Sequence, residues 1–449
     1  MAAFLLGALL AFTQPPFPLG WLAPLPLAFL LTRFAGRHGA AAAFWAGLGY
    51  WGVHLAWLPS SFALMFGPLG VLPFVPLVLV EAALWALLVR YFGRRGLALI
   101  GGWLLLDFLL AHLGALAFPW GDLGYALTAA PGRMLAALGG MPLLSLTVLL
   151  TAWALKEGRY WVLLLWLVLW VAPLPAQPAG SVAVLVQGSI NPLAKVRGAV
   201  SPQQVYENLS QEALREHPEA RLVVWPETAV PRLPADVAGW LGGRDLLAGV
   251  AAYDRGYRNR VVWIHEGAFA GSYDKVMLVP FGESFPWRRE LGWLYGFFFN
   301  AFGLGNLLDM TPGASIHPLG PYGAYVCYES VFPQVARTLA RLGAELLVNV
   351  SNDAWFGPTF GVRQHFEMGR LRAVETGRWL LRAGNDGITA SIDPYGRVVA
   401  ELPRGERGYL LAPYSLRSRN TPYVLWGDVP MLLVALGLAV FGRARRRYF

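Results

Sequence analysis

Three side chains in this sequence have the types and spacing of an acyl-transfer site: Glu227, Lys275 and Cys327. Cys327 is the only cysteine among 449 residues, so it forms no intrachain disulfide. A solitary thiol is either a nucleophile or a small buried hydrophobe. It ends an apolar run, AYV, and precedes a helix expected to begin near Val331-Phe332-Pro333. A helix dipole there would stabilise a thiolate. Lys275, in YDKVMLVPFGE, is one of three lysines set against 33 arginines. That bias singles out a task for a compact ammonium that arginine cannot perform. Chance retention at the surface is the plainer alternative. Glu227 closes RLVVWPE, and carboxylates at strand ends line the mouths of α/β sheets. An acid at the start of a helix through TAVPRLP is its alternative. Together the three make a coherent set. Cys327 attacks a carbonyl, and Glu227 takes the thiol proton and returns it to the leaving group. Lys275 stabilises the oxyanion and the ionised carboxylate. The separations, 48 and 52 residues, fit one residue per strand-helix-strand interval.

The elements that must hold these residues are legible as alternation. Short β-rich runs occur at 181–188, 221–227, 245–253, 259–265, 324–329, 345–352 and 379–393. Helical patterns lie at 202–216, 332–342 and 362–377. Strands alternating with helices predict a layered α/β sheet. The seven histidines (38, 54, 112, 217, 265, 317 and 365) have no paired zinc spacing, and no glycine-rich phosphate loop follows a strand. Neither a metal nor a cofactor is therefore expected.

The rest of the chain is unlike a soluble enzyme. Hydrophobic residues make up 56% and charged residues only 14%, where about a quarter is usual. Residues 1–179 hold four acids and eight bases, whereas 180–420 hold 22 and 24. A spanning helix needs ~20 apolar residues. Segments 38–58, 68–90, 96–117, 134–155, 160–176 and 422–441 meet that length approximately, and the shorter 3–13 and 20–33 read as a hairpin around Gln14-Pro15-Pro16. A cleaved signal peptide is disfavoured because no Lys or Arg precedes Arg33. Arg33 and Arg37, Arg90, Arg94 and Arg95, Lys156 and Arg159, and Arg443, Arg445, Arg446 and Arg447 follow alternate segments. By the positive-inside rule this gives eight spans, both termini cytoplasmic, and residues 180–420 outside the cytoplasm, with Arg133 as the one exception. The expected domains are 1–178 (about seven helices), 179–413 (catalytic) and 414–449 (a last span and basic tail). The ionisable groups inside spans, Glu81, Asp107, His54, His112 and Asp428, form no relay along one helix, so pairing between helices or an interfacial position is expected. The net charge of +9 flanks apolar runs instead of forming a stripe, which argues against nucleic-acid binding.

The motifs WPET, KVMLVPFGE, CYES, SNDAWFG and RAVETGRWLLRAGNDGITASIDPYG resemble the nitrilase superfamily. With apolar spans on both sides, the chain is similar to the apolipoprotein N-acyltransferase family. The resemblance implies an α-β-β-α sandwich carried on a polytopic membrane domain, in the bacterial inner membrane with the catalytic domain on the periplasmic side. It implies ping-pong transfer of an acyl chain from a phospholipid such as phosphatidylethanolamine, through a cysteine thioester, to a diacylglyceryl-cysteine lipoprotein, by a monomer. By position, Glu227 would be the base, Lys275 the triad lysine and Cys327 the nucleophile. Glu283 and Glu329 would be supporting carboxylates, with Asn259, Tyr328 and Glu375 behind them. Trp225, Phe297, Phe298 and Trp355 would meet substrate. Where many relatives carry an aromatic residue after the lysine corresponding to Lys195, this chain has Val196. The glycine-punctuated aromatic stretch 291–308 has the character of an arm dipping into the membrane interface. Two other readings use the same sequence: a membrane-anchored amidase hydrolysing a small amide, for which eight spans are excessive, and a scaffold or transporter, which has no use for the three polar residues.

Overall fold

The computed structural model describes residues 1–191, 200–234, 236–254, 256–302 and 309–442, with the backbone alone at Leu69, Phe298, Ala301 and Phe302. Lys195, Val196, the end of the aromatic stretch (303–308) and the four arginines of the basic tail lie outside the described residues. The chain divides into two compact units. One comprises Met1–Leu174, Thr359–Leu371 and Leu425–Phe449, the other Pro175–Pro358 and Arg372–Val424.

Each of the eight apolar segments of the first unit contains a helix: Ala2–Ala11, Pro24–Phe34, Gly39–His54, Phe74–Phe92, Leu97–Ala111, Ala136–Lys156, Val162–Val171 and Val429–Phe441. Their lengths differ from the expectation of eight full spans. Among the described residues, only Phe74–Phe92 and the continuous Pro131–Lys156 are long and apolar enough to cross a bilayer unaided. The longer of the two is nonetheless kinked. The helix Ala136–Lys156 breaks at Gly139-Gly140, just ahead of Pro142. Gly7 and Gly49 let the first and third of these helices approach so closely that a Cβ at either would collide with a facing carbonyl. Val162–Val171 turns Trp166 inward, where its Nε1 donates to the Trp21 carbonyl at 2.8 Å, and leaves Leu163, Leu164, Leu165, Leu167, Val168 and Val171 exposed.

The polar groups of this unit have local explanations. Arg133, the exception to the charge rule, is buried, and its Nη1 donates to the carbonyls of Ala129 and Ala130 at 3.2 and 3.0 Å. It closes a 3-10 turn instead of marking a side of the membrane. His54 Nε2 meets the Trp120 carbonyl at 3.0 Å. His112 Nδ1 meets the Phe108 carbonyl one turn back at 2.8 Å. Glu81 and Asp107 each keep one carboxylate oxygen without a hydrogen-bond partner among the described residues. Thr359–Leu371, which the sequence places in the α/β domain, groups here through Gln364. Its Oε1 accepts from Trp57 and Trp120 Nε1 at 2.8 and 2.9 Å, and its Nε2 donates to the Pro15 and His54 carbonyls at 2.9 and 3.1 Å. That satisfies every donor and acceptor position of a buried amide.

The second unit holds eleven described strands: β1 Ser181–Gln187, β2 Leu222–Val230, β3 Asp245–Ala252, β4 Arg258–His265, β5 Ala268–Asp274, β6 Tyr322–Val326, β7 Leu346–Ser351, β8 Leu380–Gly384, β9 Thr389–Ile392, β10 Val398–Leu402 and β11 Gly408–Tyr414. They form a six-stranded sheet, β11-β1-β2-β3-β4-β5, and a five-stranded sheet, β10-β9-β8-β7-β6. The inner strands β1, β2, β7 and β8, and the edge strand β6 under its covering helix, are buried along most of their length, which explains their unbroken apolar runs. Pro202–Glu216 begins at a Ser201 cap with proline at its first position and covers β1 and β2. Pro333–Arg341 buries Val335, Ala336, Leu339 and Ala340 and packs on β6. The result is the α-β-β-α sandwich.

Candidate active site

Lys275 and Cys327 each stand just beyond a strand end, and Glu227 stands where the pairing of its strand is interrupted. Glu227 lies in β2 at an irregularity. The β2–β3 register runs from Leu222 to Trp225 and resumes only at Val230, and Thr228 has φ of 44°. Gly249 on β3 makes room for this bulge: a Cβ there would lie 2.8 Å from Glu227 Cα and Thr228 N. Gly249→Ala is therefore expected to cost about 1–3 kcal/mol by forcing backbone apart, read as a lower melting temperature, and to slow turnover by moving Glu227. Lys275 follows β5, its N–H bonded to the Asn259 carbonyl on β4 at 2.9 Å. Cys327 follows β6 and opens the 3-10 turn Cys327–Val331 with φ of 47°. That is a costly conformation for a residue bearing a Cβ, and a sharp strand-to-helix turn of this kind projects a nucleophile.

These positions converge in the interior. Lys275 Nζ lies 2.7 Å from Glu283 Oε1 and 3.7 Å from Glu227 Oε1. Glu227 Oε1 accepts from Asn259 Nδ2 at 2.5 Å, and its Oε2 accepts the Asn352 N–H at 2.8 Å. The Cys327 thiol stands beside the same carboxylate and favours its ionised form. Glu283 Oε2 accepts the Val279 N–H at 2.9 Å, which fixes the carboxylate that fixes the ammonium. Glu329, two residues past the thiol, accepts four hydrogen bonds: Tyr273 Oη at 2.8 Å, the N–H groups of Val276 and Met277 at 2.8 and 3.1 Å, and the Val326 N–H at 2.8 Å. It ties the segment after Lys275 to the turn bearing Cys327.

Burial sets the charges. Lys275 is 1% exposed and Cys327 9%. Burial pushes the Cys327 thiol well up, Glu227 adds to that, and Lys275 opposes it only in part. The resting sulfur is thus a protonated thiol, contrary to a dipole-stabilised thiolate, because the five-residue turn at Cys327 does not offset desolvation. A base is required. Burial also raises Glu227, with Glu283 adding to the rise and Lys275, the Cys327 thiol and Asn259 opposing it. Such a carboxylate is a stronger proton acceptor than an exposed one. Burial alone would push Lys275 down, but Glu283 and Glu227 outweigh it and hold the ammonium above its ordinary value. Glu329 is raised by burial and lowered by its backbone and Tyr273 donors.

The other expected residues differ in their surroundings. Trp225 is wholly buried. It shares with Val223 the face of β2 covered by Pro202–Glu216, lies 6.1 Å from Trp240 ring to ring, and donates Nε1 to Ser210 at 2.8 Å. It is a core residue with no surface to offer a substrate. Glu375 pairs with Arg372 at 2.9 Å, and Arg372 reaches the Ser330 carbonyl at 3.4 Å, so Glu375 braces the 3-10 turn from behind. Tyr328 is buried edge-on against Phe332, ring centroids 5.1 Å apart. Trp355, in the turn Asp353–Phe356, is 51% exposed. The aromatic stretch forms the helix Gly292–Phe302. Tyr295 and Phe299 pack on Phe285 at 5.2 and 5.0 Å, whereas Trp293 and Phe297 point outward, 73% and 66% exposed. The side chain of Phe298 lies outside the described residues. Sequence reasoning missed Asn352 and Tyr273. Asn352 acts through its backbone N–H, which carries no sequence signal. Tyr273 sits two residues before Lys275 on the strand that delivers it.

The site and its sandwich define a carbon-nitrogen hydrolase type of catalytic unit, and the carbon-nitrogen hydrolase family model matches residues 237–420. The apolipoprotein N-acyltransferase N-terminal domain model matches residues 6–154. An apolipoprotein N-acyltransferase of Methylococcus capsulatus is 34% identical over 98% of this chain and 95% of its own length. One of Azotobacter vinelandii is 34% identical over 100% of this chain and 95% of its own. The crystal structure of a carbon-nitrogen hydrolase from Helicobacter pylori G27 is 19% identical, covers 56% of this chain and 94% of its own, and superposes with a TM-score of 0.38. The chain belongs to the apolipoprotein N-acyltransferase family.

Proposed function

We propose that this protein moves an acyl chain from a phospholipid, phosphatidylethanolamine the expected donor, onto Cys327 as a thioester. The chain then passes to the α-amine of a diacylglyceryl-cysteine lipoprotein. The observation that carries the reading is the convergence of a buried thiol, a raised carboxylate and a doubly paired ammonium: Cys327, Glu227 and Lys275. In the first half-reaction Glu227 takes the thiol proton as sulfur attacks the ester carbonyl, and Lys275 faces the developing oxyanion. Glu227 then protonates the lysophospholipid leaving group. In the second, the lipoprotein amine attacks the thioester and loses its proton to Glu227, and the thiol is released and reprotonated. Asn259, Glu283 and Glu329 hold these groups in place and take no proton.

We place the first unit in the bacterial inner membrane as eight apolar segments, with both termini cytoplasmic and the catalytic unit outside the cytoplasm. The arginine pattern supports this, as do the outward leucines and valines of Val162–Val171, whose exposure to water is costly and whose exposure to lipid is not. The outward Trp293 and Phe297 support lipid contact by the helix Gly292–Phe302. Phe297→Ser with Trp293→Ser is expected to slow turnover of membrane-borne phospholipid severalfold at unchanged melting temperature. Phe299→Ser, on the packed face, is expected to lower the melting temperature instead.

The reading is tested on the purified full-length protein in micelles with acyl-labelled phosphatidylethanolamine. Mass spectrometry should find one acyl adduct, on Cys327, and adding a diacylated lipopeptide should move the label to its α-amine. Label released as free fatty acid, with none reaching the peptide, would favour the amidase reading.

A further inference from the structure

A second buried polar cluster lies against the thiol on the opposite strand. β6 and β7 pair in parallel from Tyr322 with Leu346 to Val326 with Val350, and one step further the chain has Cys327 on one side and Ser351 on the other. The Ser351 hydroxyl donates to Asp353 Oδ1 at 2.9 Å and accepts from Arg382 Nη2 at 3.1 Å. Arg382 Nη2 also reaches Asp353 Oδ2 at 2.8 Å, and its Nη1 donates to Asn349 Oδ1 at 2.5 Å. Asn349, Ser351, Asp353 and Arg382 are all buried. The Asp353 carboxylate that holds this hydroxyl lies within 4.8 Å of the Cys327 sulfur. The acyl-transfer scheme above uses none of the four.

The cluster is an odd neighbour for a nucleophile that must become an anion. A carboxylate beside a thiol opposes thiolate formation, and Asp353 does so here. Arg382 pairs with Asp353 and offsets part of that effect. What the pair gives in return is a fixed hydroxyl. Serine has one proton and two lone pairs. At rest the Ser351 proton is directed to Asp353, away from the sulfur. When the sulfur loses its proton it becomes an acceptor, and the nearest hydroxyl proton is held on an oxygen that Arg382 already anchors.

We propose that Ser351 is a further catalytic residue, whose hydroxyl turns from Asp353 to the Cys327 sulfur as the thiol proton passes to Glu227, with Asp353 and Arg382 as positioning residues. One S–H bond breaks and one O–H bond forms on Glu227; the serine only rotates. Arg382 stays on the Ser351 oxygen and on Asp353 Oδ2, so the carboxylate keeps a partner throughout. The same hydroxyl then stabilises the thiolate expelled when the amine attacks the thioester. This rests on Cys327 being the acylated group.

The test uses full-length protein in micelles. Cys327 is the sole thiol, so its alkylation by iodoacetamide can be followed against pH by mass spectrometry without ambiguity. Ser351→Ala and Ser351→Gly both delete the hydroxyl without adding bulk. Each should move the alkylation profile up by about one pH unit, the size expected when an anion loses one hydrogen bond. Thioester formation from labelled phosphatidylethanolamine should fall about tenfold in kcat with KM unchanged. Ser351→Thr, which keeps the hydroxyl, should restore both. A purely structural serine would lower the melting temperature and leave the profile in place, and an unshifted profile in both deletion variants overturns the proposal. If wild-type protein forms no acyl adduct but the profile still shifts, acyl transfer fails as the function while the Ser351–Cys327 link stands.

Discussion

Glu227→Gln is expected to lower both half-reactions by about 10²–10⁴-fold, the usual range for loss of a positioned general base, while the protein still folds. The folding half of that expectation comes from Asn259. Besides the Cys327 thiol and the Lys275 ammonium beside it, Glu227 offers its two oxygens to two fixed amide donors, Asn259 Nδ2 and the Asn352 N–H. Glutamine offers one oxygen and one NH2, so one donor would face another. The Asn259 Oδ1, however, has no partner among the described residues. Rotating that amide presents Oδ1 to the new NH2 and keeps the site satisfied. Activity and stability therefore separate. Single-turnover thioester formation and aminolysis of a preformed thioester should both slow, and the melting temperature should hold within a few degrees. A variant that acylates at the wild-type rate would remove Glu227 as the base. The pH profile gives an independent check. Glu227 must be ionised to accept the proton, so acylation is lost as pH falls through its pKa. Because burial raises that pKa, the acid limb should lie above the ordinary carboxylate value of about 4.3.

How far the sequence reveals this site depends on what each residue does. Glu227, Lys275 and Cys327 were legible because their types are rare where they occur: one cysteine, three lysines, an acid closing an apolar run. The inner strands were legible because burial along most of their length leaves unbroken apolar runs. β5, β10 and β11 were not foreseen, since they are partly exposed and their side chains are mixed. Trp225 misled for a related reason. It neighbours a catalytic-type residue in sequence, but on a strand the packing face, not the neighbour, decides where a ring goes. Arg382 carried a usable signal, a charge inside the apolar run WLLRAG, which a buried strand tolerates only with a partner. Thr359–Leu371 could not have been assigned to the apolar unit, because one amide, Gln364, carries the hydrogen bonds to its helices. Each apolar segment contains a helix, but most of these helices are shorter than the apolar run that holds them, since glycine and proline end helices inside runs whose hydropathy continues.

Lys275→Met is expected to abolish thioester formation, by about 10³-fold or more, and to destabilise the fold as well. The buried ammonium is the counterion of two carboxylates, 2.7 Å from Glu283 and 3.7 Å from Glu227. Removing one partner of a buried pair typically costs about 3–5 kcal/mol, because the charge left behind has nothing to solvate it. Here two like charges remain, and the protein can relieve them by protonating one. If Glu227 takes that proton, the base is lost together with the oxyanion donor. The two effects separate in the double variant Lys275→Met/Glu283→Gln. Neutralising Glu283 removes the like-charge repulsion, so much of the lost melting temperature should return, a coupling that two independent sites would not show. Activity should not return, since nothing then faces the oxyanion. Lys275→Arg makes the complementary point. It keeps the charge but replaces a point ammonium with a planar fork that is too large for the space between two carboxylates. It should recover stability in part and thioester formation hardly at all. If instead Lys275→Met acylates within tenfold of the wild type, the ammonium is a structural counterion only, and stabilisation of the oxyanion has to come from elsewhere in the turn at Cys327.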